Sequence, residues 1–180
     1  LSIIHKASAA LFVLLLVVLF VNKLLAAKKA KEADIDLMVL DDGWFGKRNS
    51  DNCSLGDWYV NENKIKSGLP ALCDYVNSKG LKLGIWFEPE CVSPDSDVYK
   101  AHPDWVIKVP GRTPAKCRWQ WQLDLANPAV LEYLKETFGK TFKDVPIDYF
   151  KWDMNRHISE PGSPYLDKED QGSMEFRYMQ

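Results

Sequence analysis

Acidic side chains follow three apolar stretches of this sequence. Burying polar groups at the end of a strand costs free energy unless they have hydrogen-bonding or ionic partners, so such groups often serve binding or catalysis. In sheets built from βα units, the carboxyl ends of the strands carry the chemistry. These ends lie at one edge of a parallel sheet, so we expect the acids to converge on one cleft. They are Asp41, Asp42, Glu88, Glu90 and Asp153.

Three kinds of chemistry use converging carboxylates. A divalent metal ion needs several oxygen ligands, and acid–base proton transfer needs two carboxyl groups with different pKa values. Glycoside hydrolysis needs two carboxylates on either side of the bond that breaks. The three histidines lie outside the predicted strand ends, so a metal site would use the oxygens of Asp41, Glu88 and Asp153.

A sugar site is favoured by three tryptophans, Trp44, Trp86 and Trp152, which lie on the same strands or beside the acids. A flat aromatic ring packs against the C–H face of a pyranose, while carboxylates and amides bind its hydroxyl groups. Trp86 and Trp152, each taken alone, are more often residues of the hydrophobic core. The recurrence of acids and aromatic rings at three strand ends supports the sugar site.

Asp153 is the candidate nucleophile of this site. Lys151 lies two residues earlier, so its side chain shares a strand face with Asp153. A neighbouring ammonium group favours the ionised carboxylate, which a nucleophile requires. The alternative is that the two residues form a plain ion pair.

The elements that position these residues are predicted from the spacing of apolar residues. Helix and strand patterns alternate, which is typical of an α/β fold with a parallel sheet and outer helices. The main elements are helices at 23–33, 67–79 and 127–142 and strands at 35–40, 81–87 and 147–152. Shorter strand pieces are expected at 105–109 and 120–125. No glycine-rich phosphate loop occurs, which argues against a nucleotide-binding fold.

Composition narrows the class of protein. The 180 residues are 46% hydrophobic and 27% charged, which is typical of a globular domain. The net charge of −2 gives no reason to expect nucleic acid as a partner. The cysteines lack the spacing of a zinc site and are interpreted as buried thiols, with disulfide pairing left open. They are Cys53, Cys73, Cys91 and Cys117.

The first 22 residues differ from the rest and are predicted to form an apolar helix outside the domain. The uninterrupted apolar run 9–21 is shorter than the roughly 20 residues of a membrane span. A signal-peptide core, a signal anchor and a gene-model artefact remain open. If the apolar run belongs to the protein, it predicts a secreted or single-pass membrane protein, with membrane contact through residues 3–21. If the run is an artefact, a cytoplasmic protein is predicted.

Three motifs together carry a resemblance to a known family. They are Leu40-Asp41-Asp42-Gly43-Trp44-Phe45-Gly46, Gly84-Ile85-Trp86-Phe87-Glu88-Pro89-Glu90 and Lys151-Trp152-Asp153-Met154-Asn155-Arg156. In this order and spacing they resemble the α-galactosidases of glycoside hydrolase family 36. The resemblance covers residues 23–160, between the apolar segment 1–22 and a polar tail at 161–180.

The resemblance implies a fold and a set of site residues. The family has a TIM-type (β/α)₈ barrel, of which this chain resembles about half, near strands 2 to 4. Asp153 matches the nucleophile, and Asp41 and Asp42 match the pair that binds the galactose hydroxyls at C4 and C6. Trp86 matches a wall of the sugar pocket. Further sugar-binding positions are matched by Arg118, Lys151 and Asn155.

The match is weakest at residues 118–121, Arg-Trp-Gln-Trp, which depart from the family's usual sequence at this position. The family's acid/base aspartate lies beyond the nucleophile, after a motif rich in Cys and Gly. This chain ends at Gln180 before either appears. The expectation is therefore a fragment that contains the nucleophile but lacks the proton donor.

The function implied by the resemblance is removal of terminal α-galactosyl groups, with retention, from sugars such as melibiose or the raffinose type. The resemblance implies no metal or organic cofactor, and a homo-oligomer is left open for the complete enzyme. Two alternatives remain. One is a non-catalytic or membrane-tethered sugar-binding fragment, and the other is a related α-N-acetylgalactosaminidase or galactosyl transferase.

Overall fold

The computed structural model describes residues 23–180. The predictions made for the apolar run at 9–21 therefore lie outside the described residues. Among residues 23–180, none of the helices combines the length and the apolar character that a membrane span requires.

The described residues alternate between helices and strands. Residues 23–32 are helical and are named α1. The elements that follow are β1 (Leu37–Leu40), α2 (Gly68–Ser78), β2 (Lys82–Phe87), β3 (Cys91–Val92), α3 (Asp97–Ala101), β4 (Trp121–Gln122), α4 (Pro128–Phe142), β5 (Tyr149–Trp152), a 3₁₀ turn (Gln171–Ser173) and α5 (Met174–Met179).

The main sheet has the strand order β1-β2-β5, and both strand pairs are parallel. Leu40 at the end of β1 lies opposite Ile85, and Trp152 at the end of β5 lies opposite Phe87. The carboxyl ends of the three strands therefore meet at one edge. The prediction of an α/β fold with a parallel sheet is confirmed.

Local sequence signals explain the two long helices between the strands. Helix α4 begins after Asn127, whose side chain accepts a hydrogen bond from the Ala129 N–H at 3.0 Å, and Pro128 occupies the first turn. Helix α2 buries the side chains of the predicted apolar stripe against the sheet. They are Leu69, Leu72, Cys73 and Val76.

Aromatic rings fill the core beneath the carboxyl edge of the sheet. Phe45 and Trp58 are in contact, with ring centroids 4.5 Å apart, and Trp44 and Trp86 each lie within 6.3 Å of Trp58. Trp44 is 1% exposed and Trp86 is 3% exposed, so both indoles are core side chains in this structure. Trp152 is different, because 58% of its surface is exposed.

Strand β5 is less buried than its apolar sequence predicts. Phe150 is 46% exposed and Tyr149 is 47% exposed, so the prediction of a buried strand at 147–152 is wrong for the described chain. Hydrophobic sequence alone cannot distinguish a central strand from an outer one. Within residues 23–180, β5 pairs with β2 on one side only, which leaves its other side open.

The segment between β2 and α4 contains less strand than predicted. In place of strands at 105–109 and 120–125, the structure has the short antiparallel pair β3–β4 and two isolated bridges, Val106 with Leu123 and Cys117 with Gln120. Prolines at 103, 110 and 114 have no N–H to donate to a ladder, which interrupts pairing there.

Residues 161–180 include helix α5, which the sequence analysis did not predict. Met174 is fully buried and Tyr178 is 7% exposed, so this segment packs on the domain. Helix α5 has only six residues, which is too few for apolar periodicity to be recognised.

Candidate active site

Asp153 follows the last residue of β5, and its carboxylate is held by three donors. The indole N–H of Trp86 donates to Oδ2 at 2.9 Å, and the side-chain amide of Asn155 donates to the same oxygen at 2.7 Å. The N–H of Met154 donates to Oδ1 at 3.1 Å. The hydrogen bonds concentrate on Oδ2, which leaves Oδ1 with only the contact to its neighbouring backbone N–H.

The electrostatic surroundings keep Asp153 ionised. Partial burial by itself raises the pKa of this carboxyl group. The hydrogen bonds from Trp86 and Asn155, together with the charge of Lys151, outweigh that effect and hold the pKa below the ordinary value of 3.8. An ionised carboxylate is the form that a nucleophile needs.

Asp41 and Lys151 form an ion pair between the ends of β1 and β5. The Lys151 Nζ lies 2.9 Å from Asp41 Oδ2. Burial alone raises the pKa of Asp41, but the hydrogen bond from Lys151 lowers it below its ordinary value. The same hydrogen bond raises the pKa of Lys151, so both groups are charged near neutral pH.

Asp42 is bound by Arg48, a residue that the sequence analysis did not select. The guanidinium donates from Nε to Oδ1 at 3.0 Å and from the terminal Nη2 to Oδ2 at 2.9 Å. Its other terminal nitrogen donates to the carbonyls of Asp51 and Cys53. Arg48 is 6% exposed, and its fork of donors fixes the orientation of Asp42. The sequence signal that could have identified Arg48 is its position in the polar loop that follows the two acids.

The glutamates after β2 point to protein donors. Glu88 is 2% exposed, and its Oε1 accepts the Asn155 backbone N–H at 2.7 Å and the Gln120 side-chain amide at 2.9 Å. Glu90 accepts the Trp152 indole N–H at 2.8 Å and the Tyr178 hydroxyl at 2.6 Å. They connect the strand ends to the loops around them.

Arg118 lies in the turn between Cys117 and Gln120 and is exposed. Within residues 23–180, its side chain makes no hydrogen bond or ion pair. Arg156, three residues after Asp153, fixes this turn by donating from one terminal nitrogen to the carbonyls of Ala115 and Gln120 at 3.0 and 2.9 Å. The structure therefore brings the other predicted site residues into paired contacts, and it leaves Arg118 unattached beside them.

A hollow of about 340 Å³ opens on the β1 side of the site. Its walls include Asp41, Asp42, Asn49 and Lys64. The Lys64 ammonium donates to the Gly43 carbonyl at 2.9 Å and lies near Asp42. Carboxylates, an amide and an ammonium group around one hollow suit a neutral ligand with many hydroxyl groups.

The interpretation as a metal site finds no support in the described residues. No group of three or more His, Cys, Asp or Glu side chains is close enough together to hold a metal ion within residues 23–180. The oxygens of Asp41 and Asp42 face Lys151 and Arg48, and Glu88 faces amide donors. The arrangement suits a carboxylate nucleophile surrounded by groups that bind hydroxyls.

Comparisons with known proteins agree with this chemistry. The sequence model of the family described as Melibiase matches residues 20–180. The chain is 48% identical over 153 residues to "Alpha-galactosidase AgaA" of Geobacillus stearothermophilus, which covers 85% of this chain and 21% of the relative. It is 48% identical over 151 residues to "Alpha-galactosidase 1" of Pediococcus pentosaceus, which covers 84% of this chain and 21% of that protein. The chain thus spans about a fifth of the length of these relatives.

Solved structures show the same fold. The chain is similar to the GH36 α-galactosidase AgaB of Geobacillus stearothermophilus, with a TM-score of 0.84 and 47% identity over 88% of this chain and 22% of that one. It is also similar to a variant of AgaA from the same organism in complex with raffinose, with a TM-score of 0.82 and 47% identity. That match covers 87% of this chain and 22% of the AgaA chain.

Proposed function

The chain belongs to the melibiase family, and from this premise we propose that the protein is a retaining glycoside hydrolase that removes terminal α-galactosyl groups from galactosides. Asp153 is the nucleophile. The observation that carries this proposal is the carboxylate of Asp153, which is kept ionised by Trp86 and Asn155 beside the ion pair of Asp41 and Lys151.

In the proposed reaction, Asp153 attacks the anomeric carbon of the galactosyl group. The bond between Asp153 and C1 forms while the bond from C1 to the departing oxygen breaks, through an oxocarbenium-like transition state. A carboxylic acid protonates the departing oxygen. Water then attacks C1 and gives its proton to the conjugate base of that acid, while the bond between Asp153 and C1 breaks and galactose leaves with retained configuration.

Each of the surrounding residues has a role in this proposal. Asp41 and Asp42 accept hydrogen bonds from the hydroxyls at C4 and C6, held in place by Lys151 and Arg48. Trp86 orients the nucleophile through its indole N–H, and because its ring is 3% exposed it would contribute no more than an edge to the pocket wall. Asn155 has contacts with both the nucleophile and the sugar. Arg118, whose side chain makes no hydrogen bond or ion pair within residues 23–180, would bind substrate hydroxyls.

The proton donor is not assigned to any acid near Asp153 within residues 23–180. Asp41 and Asp42 are paired with cations, and Glu88 and Glu90 accept hydrogen bonds from their neighbours. A general acid needs a raised pKa, whereas Asp41, despite the effect of burial, has a pKa that the hydrogen bond from Lys151 holds below its ordinary value. We propose that the donor comes from another part of the complete protein. The parallel strands β1, β2 and β5 would then be strands near 2 to 4 of a (β/α)₈ barrel.

Raffinose-type sugars are the proposed substrates. Two structural relatives of the chain are described in complex with raffinose and with stachyose. A related activity on N-acetylgalactosamine, or galactosyl transfer to another sugar, would use the same nucleophile. Rates with the N-acetylated substrate and with sugar acceptors instead of water distinguish these activities.

The proposal is tested with an aryl α-galactoside that has a good leaving group, because such a substrate needs little acid assistance. Mass spectrometry of the denatured protein should show one added galactosyl group on the peptide that contains Asp153. Asp153→Asn should abolish the adduct. Asp148→Asn makes the same change at the opposite end of β5, where the carboxylate accepts the Leu83 N–H at 3.0 Å, and should retain the adduct. A label on another carboxylate contradicts the assignment.

A sugar-binding protein without catalysis is the second candidate. It is favoured by the pairing of Asp41, Asp42, Glu88 and Glu90, since within residues 23–180 none of these acids near Asp153 is free to donate a proton. Saturable binding of methyl α-galactoside without any adduct on Asp153 would support this candidate over the hydrolase.

A further inference from the structure

Two large side chains occupy the tip of a tight turn next to the nucleophile segment. Cys117 and Gln120 exchange both backbone hydrogen bonds, at 3.2 and 3.0 Å, so Arg118 and Trp119 are the central residues of a two-residue hairpin loop. Their φ angles are +49° and +63°. Such turns favour Asn and Gly, because a side chain at positive φ is crowded by its own backbone. Unfavourable backbone conformations of this kind cluster at functional sites.

The turn is attached to the same groups that hold the nucleophile. Oε1 of Glu88 accepts the Gln120 side-chain amide at 2.9 Å and also the Asn155 N–H at 2.7 Å. Asn155 in turn donates to Asp153. These contacts, with those of Arg156 to the carbonyls on both sides of the turn, place Arg118 and Trp119 at the carboxyl edge of the sheet.

Trp119 presents its indole to solvent there. It is 61% exposed, and the Lys116 ammonium lies 4.7 Å from its ring centroid. A cation above an aromatic face fixes the ring and occupies that face. The exposed fraction of the indole leaves room for a ligand to stack beside it. The ammonium of Lys116 is a donor next to the ring, and Arg118, which precedes Trp119 in the turn, carries further donors.

We propose that Trp119 is a stacking platform for the sugar that is joined to the galactosyl group, on the leaving-group side of the bond that breaks. This inference rests on the proposed function and extends it to the recognition of an oligosaccharide. The chemistry fits a neutral sugar because the ring offers a flat apolar surface and both neighbours offer donors to hydroxyls. One exposed ring is also far smaller than the surface that a stable protein partner needs.

The test compares two ligands in the full-length protein carrying Asp153→Asn, so that neither is hydrolysed. Methyl α-galactoside has the galactosyl group alone, and raffinose adds two further sugars. Isothermal titration should give a Kd for raffinose about tenfold weaker in Trp119→Ala, which corresponds to a stacking contact of about 1.4 kcal/mol. The Kd for methyl α-galactoside should change less than about twofold, because this ligand does not reach Trp119. Trp119→Phe should recover most of the raffinose affinity.

Phe176→Ala is the matched control, since Phe176 is a 68% exposed aromatic residue of α5. It should leave both affinities unchanged. Equal weakening of both ligands by Trp119→Ala would overturn the inference and assign Trp119 a structural role. An unchanged raffinose affinity, or a changed oligomeric state in size-exclusion chromatography, would overturn it as well. A parent protein that binds neither ligand would instead refute the proposed function, and the inference with it.

Discussion

The indole N–H of Trp86 lies 2.9 Å from Oδ2 of Asp153 and donates a hydrogen bond to it. This contact joins the central strand β2 to the end of the outer strand β5. Trp44 supports it, because its own indole N–H donates to the Trp86 carbonyl at 2.8 Å. The family resemblance implies that Trp86 forms a wall of the sugar pocket, and that role stays a prediction. The structure adds a direct contact with the candidate nucleophile.

Replacing Trp86 with Phe removes this hydrogen bond and keeps an aromatic ring. The pKa of Asp153 should rise, because burial, which raises it, is then opposed by fewer donors. In the unaltered protein the lowered pKa keeps the carboxylate ionised as the pH falls to the ordinary value of 3.8. The acidic limb of adduct formation should therefore move to higher pH in Trp86→Phe. Quenched-flow mass spectrometry of the galactosyl adduct across pH 3 to 6 measures this shift.

The control for Trp86→Phe is Trp58→Phe. Trp58 is fully buried in the same aromatic cluster, and its indole N–H has no hydrogen-bond partner among the described residues. The two substitutions remove the same ring atoms, but only Trp86→Phe removes a donor to Asp153. An acidic limb that moves equally in both variants would contradict a specific role of Trp86.

Replacing Arg48 with Ala should weaken both folding and galactoside binding. It leaves Asp42 without its cation and the carbonyls of Asp51 and Cys53 without their donor. We expect a loss of about 2–4 kcal/mol in the free energy of unfolding, reduced from the value for a fully buried pair because Asp42 is partly exposed. Arg48→Lys should restore part of the stability but little binding, because an ammonium cannot form the two-pronged contact.

Urea unfolding and titration with methyl α-galactoside measure the two effects of the Arg48 variants. Arg177→Ala is the control, because Arg177 pairs with Asp170 at 3.4 Å on the surface, where an ion pair contributes little. An unchanged sugar affinity in Arg48→Ala would show that Asp42 binds the sugar without being held in place by Arg48.

Replacing Lys151 with Met should affect binding much more than stability. The pair with Asp41 is exposed, so its contribution to folding is small. Without the hydrogen bond from Lys151, burial should raise the pKa of Asp41. Galactoside binding should then weaken at a higher pH than in the unaltered protein as the solution is acidified. Titrations at several pH values, with Lys140→Met as the surface control that breaks the exposed pair with Glu136, test this expectation. Identical pH profiles in the two variants would contradict it.

Replacing Glu88 with Ala should destabilise the loops that surround Asp153. The change leaves the Asn155 N–H and the Gln120 amide without their shared acceptor. We expect a cost of about 1–3 kcal/mol in the free energy of unfolding, measured by urea denaturation. Glu88→Gln keeps an oxygen acceptor of the same shape and should lie close to the unaltered protein. Equal losses in both variants would indicate that the negative charge, rather than the hydrogen bonds, holds this network.

Local signals in the sequence were enough to predict the framework of the fold. The apolar stripe of α2, the Asn-Pro start of α4 and the three strands with acids after them all depend on near neighbours in the chain. Parallel pairing follows, because alternating helices and strands return each strand in the same direction. The sequence also predicted that Asp41, Lys151 and Asp153 lie at one edge, since strand ends of a parallel sheet meet there.

Tertiary structure alone decided the partners of these side chains. The contacts of Arg48 with Asp42, of Glu88 with Asn155 and of Trp86 with Asp153 depend on side-chain directions and loop paths that no periodic pattern encodes. Burial was decided in the same way. Trp44 follows the apolar strand β1 and Trp152 is the last residue of the apolar strand β5, yet one is 1% exposed and the other 58%. The difference arises because Trp44 is enclosed by other rings, whereas Trp152 ends a strand with only one neighbour in the described sheet.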